Sequence, residues 1–498
     1  MLPIAFRMGM MAAALSNHYD GQIFGIMLTA SHNPLPDNGI KFVGPTGEML
    51  PASWEATAER LAHAPLNVLE GMLEECFGSS VSQGSRVAIG RDTRPSGRWL
   101  LEAVKRGVEK VGAKCIDVGL VTTPEFHTAV ARLNQSTILL SAPALEETFL
   151  SSLIAAFAPI VSEASKGNNC TKLVVDCANG IGAQKVSKLA KSLLPLGYTV
   201  QVVNDGNDAS KDILNYECGA DFVKTGNCPP RIPKSVERSS DCHYVSLDGD
   251  ADRLIYFTFS PQGRFQLIDG DRISALCART ILGLLQEAQL QDITVGVVQT
   301  AYANGGSSKY LVETLQVPLL FTSTGVKHLH AAAHSFDIGI YFEANGHGTI
   351  LFREAALVRL RSTRNHAANV LLSLARLPNQ LVGDALADML LIEAMLLITG
   401  MSLHDVVSLY EDRPSVLLKV PVNDRACIQT TDADRRITVP TDLQQAIDDL
   451  VRSVPQGRAF ARPSGTEDVV RIFAEASTPS DAEKLASDIA TLLVRLAL

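Results

Sequence analysis

Four short apolar stretches of the sequence end in glycine or aspartate, and a segment with helical character follows each of them. They are RVAIGRD (86–92), KLVVDCANG (172–180), ITVGVVQTAYANG (293–305) and FDIGIYFEANG (336–346). Strands that alternate with helices in this way are typical of βαβ units, in which helices cover a mostly parallel sheet. Because ligands bind at the carboxyl ends of the strands of such sheets, the loops after these stretches are candidate functional sites.

The chain is long enough for several such sheets. At 498 residues it exceeds the size that one hydrophobic core serves, so about three or four domains are expected. The pattern changes at SKGNNC (165–170), at DGDR (269–272) and near residue 400, where a tail of different pattern begins. We therefore predict four domains, with the boundaries 1–167, 168–270, 271–400 and 401–498.

The net charge of the chain and the composition of its apolar stretches limit the classes of molecule that it is expected to bind. The net charge of −9, with no Lys/Arg cluster beyond short pairs, argues against nucleic acid and favours a small-molecule ligand. The apolar stretches 138–161 and 389–398 contain Glu146, Glu147 and Glu393, which are costly inside a bilayer, so no membrane association is predicted.

Cysteine usage and the first residues predict a cytoplasmic protein. The nine cysteines are scattered, with no C-x-x-C pair and no Cys/His cluster at zinc spacing, which fits reduced thiols. The opening MLPIAFRMGMMAAALS is apolar but lacks the basic region and cleavage site of a signal peptide. We expect it to form a helix of the first domain.

The segment LDGDADR predicts a metal site. Asp248, Asp250 and Asp252 follow the predicted strand CHYVS at alternate positions, and three carboxylates so close together repel one another. Hard oxygen ligands suit Mg²⁺ or Ca²⁺. An EF-hand is excluded because Arg253 and Phe259 occupy its glycine and glutamate positions, which favours Mg²⁺. A solvated acidic turn is the alternative.

The hexapeptide TASHNP places a hydroxyl, that of Ser31, on a turn after the apolar run IFGIMLT. We expect this hydroxyl to be exposed. Asparagine and proline are also ordinary turn residues, so the hexapeptide alone does not establish a function.

The segment RPSGTEDVVR indicates an anion site. Arg462 and Arg471 flank a loop whose N–H groups and hydroxyls can bind a phosphate. The loop residues are Pro463, Ser464, Gly465 and Thr466. A surface turn fits this segment equally well.

The segment FEANGHG indicates a sugar site. It carries Glu343, Ala344, Asn345 and His347. The period of two predicts that Glu343, Asn345 and His347 project together from a strand end, where they suit sugar hydroxyls, and His347 can carry a proton. The segment TGVKHLH adds Lys327 and His328 at a predicted helix start, as a weaker signal.

Together these loops supply a hydroxyl, a metal site, an anion cradle and a sugar clamp, which are the parts of phosphoryl transfer on a sugar phosphate. TASHNP, DGDADR, EANGHG and RPSGTEDVVR resemble, in this order, the four functional loops of the α-D-phosphohexomutases. The resemblance covers nearly the whole chain and is strongest to the phosphoacetylglucosamine mutases within that family. It implies an α/β fold of three sandwich domains with mixed, mostly parallel sheets and a smaller C-terminal α+β domain, arranged around a central cleft.

The resemblance also implies a role for each loop. Ser31 would be the phosphorylated residue, and one Mg²⁺ per chain would be bound by its phosphate and by Asp248, Asp250 and Asp252. Arg253 and Lys41 would hold that phosphate, and His347 or Lys41 would transfer a proton. The cradle at 462–471 would hold the phosphate that is not transferred.

The implied reaction is the interconversion of N-acetylglucosamine 6-phosphate and 1-phosphate through a priming 1,6-bisphosphate, on the way to UDP-N-acetylglucosamine. Glu343, Ala344, Asn345 and Lys327 would bind the substrate. Asn345, where some relatives have serine, would set the specificity for the N-acetyl group. The enzyme would be a monomer or a weak dimer that binds neither nucleic acid nor membrane.

Three alternatives stay open. The chain could act on glucose or mannose phosphate, as other phosphohexomutases do. It could be an inactive sugar-phosphate-binding protein, because the N-terminal strand and GTAGFR-like segment of the family are missing from its start. It could also be a phosphatase with Asp248 as the nucleophile, although the hydroxyl expected after a D-x-D acid pair is absent.

Overall fold

The computed structural model forms two compact units. The first contains Met1–Asp269 and Ser373–Leu403, and the second contains Gly270–Leu372 and His404–Leu498. The structure describes residues 1–78, 84–136, 138, 140–164, 171–208, 213–236, 238–464 and 468–495. The first predicted boundary, at 165–170, lies outside these residues, and the division into four domains stays a prediction.

The first unit begins with a four-stranded sheet of order β2-β1-β3-β4, in which only the β2–β1 pair is antiparallel. Its strands are β1 (Phe24–Leu28), β2 (Ile40–Val43), β3 (Arg86–Arg91) and β4 (Lys114–Leu120). Its helices are α1 (Leu2–His18), α2 (Ala52–His63), α3 (Leu66–Phe77), α4 (Gly97–Lys110), α5 (Thr123–Gln135) and α6 (Ala142–Ala164). The helix predicted at the start of the chain is confirmed as α1, which packs on α4.

A second sheet in this unit has the order β6-β5-β7-β8-β9, with the pairs of β5 parallel and those of β8 antiparallel. Its strands are β5 (Thr171–Asp176), β6 (Tyr198–Val203), β7 (Cys242–Leu247), β8 (Leu254–Phe259) and β9 (Phe265–Ile268). The accompanying helices are α7 (Gly182–Leu193) and α8 (Ala220–Gly226). The unit is completed by a helix from later in the chain, which is α14 (Ala385–Thr399).

The second unit contains a sheet of order β11-β10-β12-β13, in which only the last pair is antiparallel. Its strands are β10 (Val295–Thr300), β11 (Leu319–Thr322), β12 (Ile338–Phe342) and β13 (Gly348–Phe352). The helices around it are α9 (Gly270–Glu287), α10 (Gly305–Lys309), α11 (Val326–Ala333), α12 (Glu354–Ser362) and α13 (His366–Leu374). All three sheets described so far are mixed, as predicted. The first and third are mostly parallel, whereas the second has two parallel and two antiparallel strand pairs.

The tail of the second unit is α+β. An antiparallel sheet of order β14-β18-β17 is accompanied by a two-stranded hairpin. The strands are β14 (Ser415–Pro421), β15 (Gln429–Thr431), β16 (Arg436–Val439), β17 (Arg458–Pro463) and β18 (Val469–Glu475). The helices are α15 (Leu403–Val407), α16 (Thr441–Arg452) and α17 (Pro479–Arg495). The predicted change of pattern near residue 400 therefore marks a change of architecture.

Helix α6 contains most of the first long apolar stretch. Its segment Ala142–Glu163 is long and apolar enough to span a bilayer by length and composition, a property that core helices share. It packs on α5, α7 and α14, with Phe157 fully buried. Glu146, which interrupts the stretch, pairs with Lys185 and Lys188 of α7 at 2.7 and 2.6 Å.

The glutamate of the second apolar stretch also has partners. Glu393 of α14 accepts a hydrogen bond from the hydroxyl of Tyr256 on β8 and contacts the ring of His243 on β7, each at 3.0 Å. The Tyr256 hydroxyl also lies 3.1 Å from the backbone oxygen of Met389. These contacts attach α14 to the second sheet of the first unit.

The cysteines agree with the prediction of free thiols wherever the structure describes them. Those found as thiols rather than in disulfides are Cys76, Cys115, Cys177, Cys218, Cys228, Cys242, Cys277 and Cys427. Cys170 lies outside the described residues.

Candidate active site

Ser31 lies in the turn after β1 and is only 5 % exposed. The prediction of an exposed hydroxyl is therefore wrong, because the aspartate-rich loop after β7 and the side chain of Arg94 cover the turn. Ser31 has a φ of +45°, in the left-handed region that costs free energy for a residue with a Cβ atom. Its N–H donates to Thr29 Oγ1 at 3.0 Å, which helps to hold this conformation.

The hydroxyl of Ser31 lies between a carboxylate and an ammonium group. It donates to Asp250 Oδ2 at 2.9 Å and accepts from Lys41 Nζ at 2.8 Å. Lys41 also contacts Asp250 at 3.1 Å and Asp252 at 3.0 Å. Burial would lower the pKa of Lys41, but the two carboxylates outweigh burial and raise its pKa above the ordinary value. Lys41 is therefore a cationic donor to the Ser31 oxygen.

Three buried carboxylates form the predicted metal site. Ligand oxygens of Asp248, Asp250 and Asp252 all lie within 4.8 Å of one another. Burial, followed by the charges of Asp252 and Asp250, raises the pKa of Asp248 well above its usual value. Among the described residues nothing donates a hydrogen bond to Asp248 Oδ2 or Asp250 Oδ1. Unbonded, mutually repelling oxygens in a buried cluster fit a hard divalent cation such as Mg²⁺.

The backbone of the aspartate loop shapes this cluster. Asp248 Oδ1 accepts hydrogen bonds from the backbone N–H of Asp252 at 3.0 Å and of Arg253 at 3.2 Å. The Nε atom of Arg253 lies 3.8 Å from Asp248 Oδ2 and 3.7 Å from Asp252 Oδ1. The predicted residues Ser31, Lys41 and Arg253 and the three aspartates are thus together in the first unit.

The serine turn and the aspartate loop touch at Gly249. A Cβ atom at this position would lie 2.7 Å from the backbone oxygen of Ser31, closer than real Cβ contacts. Asn215 holds the same oxygen, because its Nδ2 donates to it at 2.8 Å. Only a glycine allows the two loops to approach this closely.

Sequence reasoning missed Arg94, which organises the serine turn. Its fully buried guanidinium donates to the backbone oxygens of Ser31, Asn33, Pro34 and Asp37, at 2.7–3.0 Å. Asp92, at the end of the stretch RVAIGRD, accepts from Arg94 Nε at 3.0 Å and from the Thr29 hydroxyl at 2.8 Å. A charged pair directly after a parallel strand was the available signal.

Thr123 was also missed. Its hydroxyl donates to Asp250 Oδ2 at 2.7 Å, and its N–H donates to the backbone oxygen of Asp250 at 3.1 Å. It is the first residue of α5, where Thr122 and Glu125 form a capping box. The start of α5 therefore fixes the position of Asp250.

In the second unit, EANGHG forms the tight connection between β12 and β13. The prediction that its side chains project at a period of two is wrong, because the strand ends at Phe342. The N–H of Glu343 donates to the His347 oxygen at 2.9 Å, and Gly346 has a φ of +84°, which closes the hairpin. Asn345 Oδ1 accepts from the N–H of His347 at 3.0 Å. Ala344 is half-buried in this turn.

The predicted helix start in TGVKHLH is confirmed, since α11 begins at Val326. The N–H of Gly325 donates to Glu343 Oε1 at 3.3 Å. Lys327, in the first turn of α11, is half-buried. The two predicted sugar-binding segments are therefore in contact.

The described residues of the predicted anion cradle lie on β17 and β18 and directly after β17. Arg462 and Arg471 are directly paired across the two strands, and the N–H of Ser464 donates to the Val469 oxygen at 2.9 Å. Pro463 ends β17. Gly465 and Thr466 lie outside the described residues.

A third cation, not predicted, continues this row. Lys419 of β14 is paired with Arg471 on its other side, so Lys419, Arg471 and Arg462 are neighbours across three strands. Three cationic side chains on neighbouring strands can bind one anion together.

Family models match most of the chain. Those described as "Phosphoacetylglucosamine mutase AMG1", domain II and domain III, match residues 141–255 and 269–401. Those described as "Phosphoglucomutase/phosphomannomutase" match residues 9–68 and 70–143 with the alpha/beta/alpha domain I, and 417–492 with the C-terminal domain.

Proteins named phosphoacetylglucosamine mutase are similar over nearly the full length. The chain is 45 % identical to that of Sus scrofa over 497 residues, covering 98 % of this chain and 90 % of the relative. It is 43 % identical to that of Homo sapiens over 511 residues, covering 99 % and 91 %.

Solved structures agree with these relatives. The N-acetylphosphoglucosamine mutase of Aspergillus fumigatus, in complex with GlcNAc-6P and magnesium, matches with a TM-score of 0.92 at 41 % identity, covering 100 % of this chain and 93 % of that one. A product complex of an N-acetylglucosamine-phosphate mutase matches with a TM-score of 0.92 at 38 % identity, covering 99 % and 93 %. The chain belongs to the phosphoacetylglucosamine mutase family, within the α-D-phosphohexomutase superfamily.

Proposed function

We propose that this chain is an isomerase that interconverts N-acetylglucosamine 6-phosphate and N-acetylglucosamine 1-phosphate, with Ser31 as the residue that carries the phosphoryl group. The observation that carries the proposal is the position of the Ser31 hydroxyl, in contact with Lys41 and at the edge of the carboxylate cluster. Membership of the phosphoacetylglucosamine mutase family supports the assignment of an N-acetylglucosamine phosphate as the substrate.

In one direction, phosphorylated Ser31 gives its phosphoryl group to the 1-hydroxyl of the 6-phosphate sugar. The bond from phosphorus to Ser31 Oγ breaks, a bond to the sugar oxygen forms, and the hydroxyl proton passes to a base. The resulting 1,6-bisphosphate then returns its 6-phosphoryl group to Ser31: the bond from phosphorus to the sugar 6-oxygen breaks, a bond to Ser31 Oγ forms, and the 6-oxygen takes the proton back from the base, which leaves the 1-phosphate. The same bisphosphate primes unphosphorylated enzyme, and the reaction lies on the route to UDP-N-acetylglucosamine.

The first unit supplies the groups around the serine oxygen. The Lys41 ammonium, which donates to Ser31 Oγ, balances the negative charge that develops there when the oxygen becomes the leaving group. Asp248, Asp250 and Asp252 would hold one Mg²⁺, which withdraws charge from a phosphoryl group when bound. Arg253, beside two of these carboxylates, is proposed to hold the phosphoryl group.

The roles proposed in the second unit follow the family resemblance. His347 takes the proton, while Glu343, Asn345 and Lys327 bind the sugar phosphate. The cradle holds the phosphate that is not transferred, and the row of cations supports this role, because one anion can neutralise several of them.

Other features of the proposal rest on the family alone. We propose four domains with the predicted boundaries, a cytoplasmic enzyme, and a monomer or weak dimer. A fixed phosphate site and one serine site require the bisphosphate to turn round between the two half-reactions.

The test is conversion of the 6-phosphates of N-acetylglucosamine, glucose and mannose, with Mg²⁺ and a trace of the sugar 1,6-bisphosphate. We expect the N-acetylated sugar to react with the highest kcat/KM. Intact-mass measurement is expected to show one phosphate on the wild-type chain and none on Ser31→Ala. The conversion assay is expected to show that Ser31→Ala loses at least about 10³-fold of the activity.

Each alternative gives a different result. A preference for glucose or mannose phosphate would assign another substrate, and sugar-phosphate binding without turnover would indicate an inactive binding protein. Phosphate on Asp248 instead of Ser31 would indicate a phosphatase. The matched control is Ser240→Ala, which removes an exposed hydroxyl in the same unit.

A further inference from the structure

Tyr302, in the loop after β10, contacts one of the two arginines of the cradle. The Nε–H of Arg462 donates to the Tyr302 hydroxyl at 3.0 Å, and the guanidinium carbon lies 5.4 Å from the centre of the tyrosine ring. One terminal nitrogen of Arg462 donates to the Pro463 oxygen at 3.3 Å. Among the described residues nothing accepts a hydrogen bond from the other terminal nitrogen.

The tyrosine ring is held on one face of the C-terminal sheet. It packs against Phe460 and Phe473, with ring centres 5.0 and 5.7 Å away. These phenylalanines are directly paired across β17 and β18, two residues from the paired Arg462 and Arg471. Because residues two apart in a strand share a face, the aromatic pair and the arginine pair lie side by side under Tyr302.

The backbone on both sides of Tyr302 is fixed as well. Arg458 of β17 donates to the backbone oxygens of Ala301, at 3.1 Å, and Ala303, at 2.6 Å. Its Nε donates to the buried carboxylate of Glu475 at 2.7 Å, and the other oxygen of that carboxylate accepts from the N–H of Gly305 at 2.9 Å. The tyrosine hydroxyl is therefore a rigid acceptor rather than a mobile surface group.

We propose that Tyr302 is a positioning residue for the phosphate cradle, which fixes the guanidinium of Arg462 so that its outer edge faces the bound phosphate. A long arginine side chain loses rotamer freedom when it binds an anion, and a partner that fixes it in advance removes part of that cost. The inference rests on the proposed function only in taking the ligand to be the phosphate of a sugar phosphate. It adds a residue outside the RPSGTEDVVR loop to the machinery that binds it.

The test is Tyr302→Phe, which removes the hydroxyl and keeps the ring. A hydrogen bond to a charged group corresponds to about tenfold in an equilibrium constant, so we expect KM for the sugar 6-phosphate to rise about tenfold while kcat stays within about twofold. The control is Tyr216→Phe, an exposed tyrosine of the other unit, with KM unchanged.

The same change in an Arg462→Ala background separates positioning from packing. If Tyr302 acts through Arg462, Tyr302→Phe has no further effect there; an equal rise of KM in both backgrounds would overturn the proposal. An unchanged KM in the single variant would also overturn it. The melting temperature of Tyr302→Phe is expected to stay close to that of the parent.

Binding without turnover distinguishes this inference from the proposed function. Calorimetric titration of the Ser31→Ala protein with inorganic phosphate and with N-acetylglucosamine 6-phosphate is expected to show the same tenfold loss on Tyr302→Phe. A wild-type chain that does not interconvert the sugars but shows this loss would refute the proposed function and leave the role of Tyr302 standing. Binding that does not depend on Tyr302 would refute the positioning role alone.

Discussion

The Nζ atom of Lys41 lies 2.8 Å from the hydroxyl oxygen of Ser31, and both groups contact Asp250 Oδ2. Burial opposes the cationic form of Lys41, but the carboxylates of Asp250 and Asp252 outweigh burial and raise its pKa above the ordinary value. Its position therefore favours charge stabilisation over the proton transfer that the sequence also suggested.

The first prediction concerns this lysine. Lys41→Met keeps much of the side-chain volume but removes the cation, and we expect kcat to fall by about 10²- to 10³-fold with a smaller change in KM. Steady-state kinetics with N-acetylglucosamine 6-phosphate measures both. Lys188→Met, on the exposed side of α7, is the control. Full activity of Lys41→Met would contradict the role.

The second prediction concerns the carboxylate cluster. Asp248→Asn keeps the Oδ1 atom that accepts from the N–H groups of Asp252 and Arg253, but it removes one of three repelling charges. Without metal we expect this variant to melt at a higher temperature than the parent. With Mg²⁺ the order reverses, because a cation at 100 times its Kd stabilises the parent by about 2.7 kcal/mol.

Thermal unfolding in chelator and in Mg²⁺ measures this reversal. We expect the activity of Asp248→Asn to fall at least about 10²-fold. Asp241→Asn, at an exposed position, provides the comparison and should behave like the parent. If Mg²⁺ shifts the parent and Asp248→Asn equally, the metal site is elsewhere.

The third prediction concerns the contact at Gly249. In Gly249→Ala the new methyl group pushes the backbone oxygen of Ser31 away, which moves the hydroxyl from Asp250. We expect a loss of about 1–3 kcal/mol in the free energy of unfolding and a reduced kcat. Gly283→Ala, whose Cβ atom meets nothing within 4 Å, should be neutral or slightly stabilising. Equal behaviour of the two variants would show that the close approach has no consequence.

The fourth prediction concerns pH. Burial raises the pKa of Asp384, at the start of α14, to about 6. Between about pH 4 and 6 the folded state holds this proton more tightly than the unfolded state, so the free energy of unfolding falls as pH rises, by about 3 kcal/mol in total. Asp384→Asn keeps the oxygen that accepts from the N–H groups of Leu386 and Ala387 but carries no charge.

Urea unfolding of both proteins from pH 4 to 8 tests this sign. The free energy of unfolding of Asp384→Asn, relative to that of the parent, should increase with pH up to about 7. The increase in stability is partly offset because the Nδ2 group of Asn379 loses its acceptor, Asp384 Oδ2. Glu483→Gln, at an exposed position of α17, should follow the parent. Parallel curves for Asp384→Asn and the parent would contradict the raised pKa.

The fifth prediction concerns specificity. Asn345 shapes the EANGHG hairpin because its Oδ1 accepts a hydrogen bond from the N–H of His347. A serine hydroxyl at this position can accept the same hydrogen bond. We expect Asn345→Ser to fold normally and to lower the kcat/KM ratio of the N-acetylated over the glucose substrate by about tenfold. Asn207→Ser, on an exposed loop, should leave the ratio unchanged. If the kcat/KM ratio of Asn345→Ser equals that of the parent, Asn345 does not determine the specificity.

The sheets could be predicted because several of their strands are short apolar runs that end near a glycine, a pattern that is visible in neighbouring residues of the sequence. The sequence also predicted the carboxylate triad, since Asp248 and Asp252 are only four positions apart. It did not predict the burial of Ser31, which depends on Arg94 and Asn215, 63 and 184 positions away. Tyr302 was missed for the same reason: nothing in the residues around it indicates that it contacts Arg462, 160 positions away.

The chain passes between its two compact units three times, and residues 373–403, which include α14, belong to the first unit although the segments on both sides of them belong to the second. A recombinant fragment that stops at residue 269 would therefore lack the helix that carries Glu393, and the ring of His243 and the hydroxyl of Tyr256 would lose their carboxylate partner. Laboratories that wish to study the serine-bearing half alone would need to fuse residues 373–403 to it.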